Sequence, residues 1–119
     1  MRPCLYEKPK ERLWDILEAI ANIERYAVLG RDAFETDELV QNWFLRQLQI
    51  IGEAARAMPR DIIDLSPQIP YAKIIGMRNI LVHGYFEIDT EVVWGAVKND
   101  IPALKLQIED LLRKLDQRT

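Results

Sequence analysis

Apolar residues recur along this chain at intervals of three and four, the signature of amphipathic helices, and nowhere alternate as a half-buried strand requires. From about Lys10 to Leu29, the residues Leu13, Ile16, Leu17, Ile20 and Ile23 fall on one helical face, with Asp15, Glu18, Asn22 and Arg25 on the other. Gly30 is placed to end that helix, because glycine reaches positive φ without steric cost. A second helix is predicted to open near Thr36, whose hydroxyl can cap it, with Asp37 and Glu38 well placed in the first turn. Its apolar stripe is Val40, Trp43, Phe44, Leu48, Ile51, Ala55 and Met58, and Pro59 marks its end. Pro59, Pro67 and Pro70 frame a connection with room for one or two helical turns around Ile62 and Ile63. A helix from Tyr71 to His83 follows, with Ile74, Met77 and Leu81 inward and Gly84 as its cap. In the last stretch Trp94, Val97, Ile101, Leu104, Ile108, Leu111 and Leu115 alternate by three and four. Pro102 is expected to bend or restart that helix, with Asn99 or Asp100 as its cap. The pattern predicts an all-α fold, an up-and-down bundle of four to five helices, without internal repeats or low-complexity tracts.

A length of 119 residues suits one domain, here taken as 1–119. With 49% hydrophobic and 29% charged residues, a packed core is feasible and wholesale disorder is disfavoured. No apolar run approaches the roughly 20 residues that span a bilayer. The opening stretch is too charged, and too broken by Pro3 and Pro9, for a signal peptide. Cys4, the one cysteine, excludes an intramolecular disulfide and a cysteine-based zinc cluster. These features point to the cytoplasm. The 16 basic and 19 acidic side chains give a net charge of −3, which disfavours a duplex-coating role but leaves room for a localised RNA site.

The most informative stretch is GMRNILVHGYF, residues 76–86. Asn79 and His83 stand four apart on one helix face, Arg78 lies in the adjacent row, and Tyr85 follows just past the helix end. A cation, an amide, the chain's only imidazole and a phenol are thereby gathered. That set suits metal-independent RNA cleavage, which needs a base for the ribose 2′-OH, an acid for the departing 5′ oxygen, and positive charge on the phosphate. Arginine's planar fork serves the phosphate, and histidine titrates near neutrality. One histidine cannot easily be base and acid on opposite sides of an in-line attack. A twofold dimer would bring two copies of His83 and Arg78 around one cleft. The chemistry calls for no cofactor and no metal, and a single histidine argues against catalytic zinc. By spacing alone, a lone histidine at a helix end is more often a structural or capping residue than a catalyst. Arg78 could equally be a surface cation and Tyr85 a packing residue.

Arg78, four residues, His83, Gly84 and Tyr85 resemble the R-x4-H-x-Y motif of the HepT branch of HEPN domains. Trp14–Ile20, Ile50–Ala55, Ile69–Asn79 and Val92–Trp94 with the following I-P-x-L are similar to that branch in the same order, covering nearly the whole chain. The resemblance implies a helical HEPN bundle that works as a homodimer, with Arg78 and His83 of both subunits lining one cleft for RNA cleavage. Asn79 would be a supporting residue. It also implies the toxin of a toxin–antitoxin pair, whose antitoxin is an MntA-type nucleotidyltransferase that adenylylates Tyr85. AMP there adds negative charge and bulk where an RNA phosphate must sit. The alternative is a non-catalytic HEPN module that binds and regulates a nucleotidyltransferase.

Glu53, between Gly52 and Ala54, could pair with Arg78 or orient His83 where another helix approaches closely; an exposed carboxylate is the equal alternative. Trp14, Trp43 and Trp94 are expected in core or dimer packing rather than base stacking. Glu35, Asp37 and Glu38 read as helix N-terminal charge rather than a metal site. Arg113, Lys114 and Arg118 complement the last helix's dipole.

Overall fold

The computed structural model describes residues 7–82 and 89–118, with side chains described for all of these except 77–82 and 118. Every regular element among the described residues is helical. Helix α1 spans Glu7–Ala27, α2 Arg31–Thr36, α3 Glu38–Arg56, α4 Arg60–Leu65, α5 Tyr71–Val82, α6 Thr90–Gly95 and α7 Ile101–Arg118. A π-helical turn, Ala96–Asp100, joins α6 to α7 without a break, since both junction residues keep right-handed helical backbone angles. Four long helical rods result, with α2 and α4 as short connectors.

Cross-links between the rods fix their directions. Asn22 donates to Gln47 (3.2 Å) while Tyr26 lies edge-on to Trp43, so α1 and α3 run antiparallel. Glu24 meets Lys105 and Lys10 meets Asp116, so α7 also opposes α1. Gln107 donates to the Gln68 carbonyl and Lys73 meets Asp100, so the entry and first turn of α5 oppose α7. The bundle is therefore up-and-down. The C-terminal ends of α1 and α5, the start of α3 and the α6 rod gather at one end.

The core follows the stripes read from sequence. Leu13, Ile16, Ile20 and Ile23 of α1 face Phe44, Leu48 and Ile51 of α3 and Ile101, Leu104, Ile108, Leu111 and Leu115 of α7, all buried in one cluster. Each such side chain contributes about 1.5–3 kcal/mol of transfer free energy. Two polar links are built into it. The Gln47 amide is buried against Asn22, whose carbonyl accepts from the Trp43 indole. Ser66 Oγ donates to the Ile62 carbonyl and shares a 2.7 Å hydrogen bond with Tyr71 Oη. Burial pushes the Tyr71 phenol above its ordinary value, against the smaller opposing effect of the Ser66 hydrogen bond.

Several expectations are corrected. The cap of α3 is Asp37, whose Oδ1 accepts from the amides of Leu39 and Val40. Thr36 instead ends α2, its hydroxyl donating back to the Asp32 carbonyl; a carboxylate one residue later meets the free amides better. Gly30, at φ 92, ends α1 and starts α2. Neither Asn99 nor Asp100 caps a helix at Pro102, because the chain passes from α6 into α7 through the π turn without leaving helical backbone angles. Pro102 has no N–H for the carbonyl of Lys98 and its ring crowds that group, so the preceding turn widens to π geometry. The extra residue per turn explains why Val93, Val97 and Ile101, spaced by four twice running, are all buried on one side. The cap lies further back, at Asp89, whose carboxylate accepts from the Val92 amide. Trp14 is exposed at 61%, which leaves dimer packing of the two expected settings, while Trp43 and Trp94 are half-buried against the core. No helix among the described residues is long and apolar enough to cross a membrane.

Candidate functional site

Helix α5 carries the first part of the motif, Arg78 and Asn79. It has good local reasons to form: Pro70 precedes its first residue, and its carbonyl accepts from Ile74. Ile74 and Ile75 pack against the core, and the helix lies along α3. Arg78 and Asn79 sit on the helical backbone of α5, which runs to Val82. Their side chains, and His83 and Tyr85 altogether, lie outside the described residues. Glu53 is on the exposed side of α3, with Gly52 and Ala54 buried on either side of it.

The end of the bundle toward which α5 runs has a defined architecture. Arg31 Nε donates to Glu35 Oε1 at 2.8 Å, and its Nη2 donates to Glu91 at the start of α6. The hydrogen bond to Glu35, assisted by the charges of Glu91 and Glu35, holds the Arg31 guanidinium above its ordinary value. Phe44, Phe34 and Trp94 form a column of near-parallel rings, with centroids 5.4 Å and 5.5 Å apart and interplanar angles of 20° and 29°. Trp94 then lines an open cleft of about 650 Å³ together with Arg31, Glu91, Lys98 and Asn99. This cleft is absent from the sequence reading. Its parts lie on α2, α6 and the π turn, and only the assembled bundle brings them together.

The acidic cluster divides: Asp37 caps α3 and Glu38 lies in its first turn, as expected, whereas Glu35 lies in the last turn of α2 and pairs with Arg31 instead. Arg113 and Lys114 pair with Asp110 one turn back.

The profile of the family described as "Ribonuclease HepT-like" matches residues 16–111, which include all of the motif positions. The chain is 42% identical over 103 residues, 86% of its length, to "Probable ribonuclease HepT" of Thermococcus cleftensis, 94% of which is covered. It is 35% identical over 101 residues, 84% of its length, to "Putative RNase MJ1380" of Methanocaldococcus jannaschii, 93% of which is covered. A third relative, "Putative RNase TTE0752" of Caldanaerobacter subterraneus, is 33% identical over 92 residues, 77% of this chain and 82% of that protein. No solved structure matches the chain significantly.

Proposed function

The chain belongs to the HepT-like ribonuclease family, and from that membership we propose a metal-independent endoribonuclease whose catalytic residues are Arg78 and His83. The observation that carries this reading is the family match across residues 16–111, within which the motif stands complete. In the proposed reaction His83 removes the proton of the ribose 2′-OH. The alkoxide attacks the adjacent phosphorus, the bond to the 5′ oxygen breaks, and an imidazolium protonates the leaving oxygen. Arg78 neutralises the charge that accumulates on the phosphate oxygens. Base and acid are needed on opposite sides of the phosphorus, so a homodimer supplies the second His83 and Arg78. Asn79 and Glu53 support the pair, Asn79 by its amide and Glu53 by its carboxylate.

The physiological setting we propose is a toxin restrained by an MntA-type nucleotidyltransferase. Adenylylation of Tyr85 joins AMP to the phenol oxygen through its phosphate and releases pyrophosphate from ATP. The added charge and bulk then exclude substrate from the cleft. The test is total RNA incubated in EDTA with the purified chain, with His83→Ala and with Arg78→Ala. Cleavage by wild type, reduced at least a hundredfold in either variant with helicity unchanged, is the expected result. Wild-type protein free of AMP by intact mass that leaves RNA uncut would overturn the catalytic reading in favour of a non-catalytic partner module.

A further inference from the structure

The cleft beside Trp94 has no part in the motif, yet it stands at the same end of the bundle. α5 points to that end, and segment 83–88, with His83 and Tyr85, leads by sequence directly into α6, whose Glu91 and Trp94 line the cleft. Three features describe what would fit it. First, Trp94 stacks on Phe34, which is 1% exposed and stacked in turn on Phe44, and the half-buried indole also lines the cleft. A flat aromatic guest would extend an existing column of rings, with little side-chain entropy left to lose. Second, the rim is polar and of mixed charge, with the Arg31–Glu91 ion pair on it and Lys98 as its cation without a carboxylate partner among the described residues. Lys98 and Asn99 are exposed and have no side-chain partner among the described residues. The Arg31 guanidinium keeps a nitrogen beyond those given to Glu35 and Glu91. Third, the space of about 650 Å³ lies within the roughly 300–1,000 Å³ range of small-ligand sites.

We propose that this cleft is a subsite for one unpaired nucleotide of the RNA substrate: the base stacks on Trp94, Lys98 holds a phosphate, and the Asn99 amide meets the base edge. The proposal rests on the ribonuclease reading and deepens it. It also replaces the expectation that Trp94 serves packing alone. An apolar protein anchor is a poorer fit, because four of the groups around the indole are charged or amide-bearing and would lose water without recompense. A flat base with an anionic phosphate satisfies the aromatic wall and Lys98 together, as stacking platforms for single strands do.

The experiment uses short single-stranded RNA carrying 2-aminopurine at successive positions, in EDTA, with binding read by fluorescence quenching and cleavage by product formation. Wild type is expected to quench one position selectively. Trp94→Phe keeps the quench, whereas Trp94→Leu weakens binding about tenfold or more, the loss of one stacking contact. The loss appears in KM with kcat little changed, because the subsite holds substrate and transition state equally. Lys98→Gln, at an exposed position outside the core, lowers the slope of log Kd against log salt by about one. If Trp94→Leu fails to fold by circular dichroism, Lys98→Gln and Asn99→Ala decide the question. Unchanged binding and KM in Lys98→Gln and in folded Trp94→Leu would overturn the subsite, as would quenching by free mononucleotide with none by the oligonucleotide. Failure of the ribonuclease reading is distinguishable: wild type would then cut nothing, while position-selective quenching would still report whether the cleft binds RNA.

Discussion

Two glycines in open space illustrate what a single residue does here. A Cβ built on Gly30 or on Gly76 meets nothing within 4 Å, so sterics from neighbours are equal, and only the backbone differs. Gly30 holds φ 92 with ψ 172, a region that residues with a side chain reach only under strain, whereas Gly76 is an ordinary helical residue within α5. Gly30→Ala should therefore cost about 1–3 kcal/mol, and Gly76→Ala should add about 0.5–1 kcal/mol by restricting the unfolded chain. Urea denaturation of the two variants checks this; equal signs would defeat the backbone argument. Gly30 was legible in the sequence as a stop because the apolar period lapses there. The cap of α3 was legible in kind but misplaced by one residue, since Thr36 and Asp37 both carry capping oxygens and only the assembled backbone selects between them. The Ser66–Tyr71 hydrogen bond was not legible, because nothing local to a serine five residues before a tyrosine requires them to meet in the core.

Among the elements, α5 differs from its neighbours in how it is held. It lies along α3, but toward α7 an apolar gap of about 90 Å³ remains, bounded by Leu48, Ile51, Ile74 and Leu104. The Lys73–Asp100 pair that bridges the gap's edge is largely exposed (63% and 38%), and such pairs contribute about 0–1 kcal/mol. By contrast α1 is packed on both α3 and α7 through side chains that are 0–1% exposed at Leu13, Ile16, Ile20 and Ile23. The helix carrying Arg78 and Asn79 should thus open locally before the rest of the bundle. Native-state hydrogen exchange is expected to show the α5 amides exchanging through a sub-global opening, at least tenfold faster than those of α1 between Leu13 and Ile23. Equal protection would mean that α5 unfolds only with the whole chain. The periodicity that announced α5 could not reveal this gap. Apolar spacing reports which face turns inward, while a gap depends on the shapes of three helices meeting. The π turn was hidden for a related reason: Pro102 announced a disturbance, but whether it is absorbed as a bend, a restart or a widened turn depends on which register buries Val93 and Val97 with Ile101.

For the whole molecule, the bundle was readable because three- and four-residue spacing maps directly onto buried helix faces, and the antiparallel arrangement follows from short connections. The proposed site is a different matter: a single histidine in 119 residues leaves a one-chain in-line mechanism one imidazole short. If a second copy supplies it, the dimer has one cleft served by two His83 side chains, and losing either disables the cleft. Independent sites, one per subunit, would lose activity only in proportion to the mutant subunits. The two cases separate on mixing wild type with His83→Ala after full subunit exchange. At equal amounts a shared cleft leaves about one quarter of the activity, the fraction of dimers with two intact subunits, whereas independent sites leave about one half. Sedimentation provides the companion check, because the 13.9 kDa chain should run at about twice its mass. A linear loss of activity on mixing would place base and acid within one subunit, and the partner of His83 would then have to be another group of the same chain. Arg78 is too strongly basic to give up its proton readily, which leaves Tyr85 or the Glu53 carboxyl as the acid, and Tyr85→Phe and Glu53→Gln decide between them by which one loses activity.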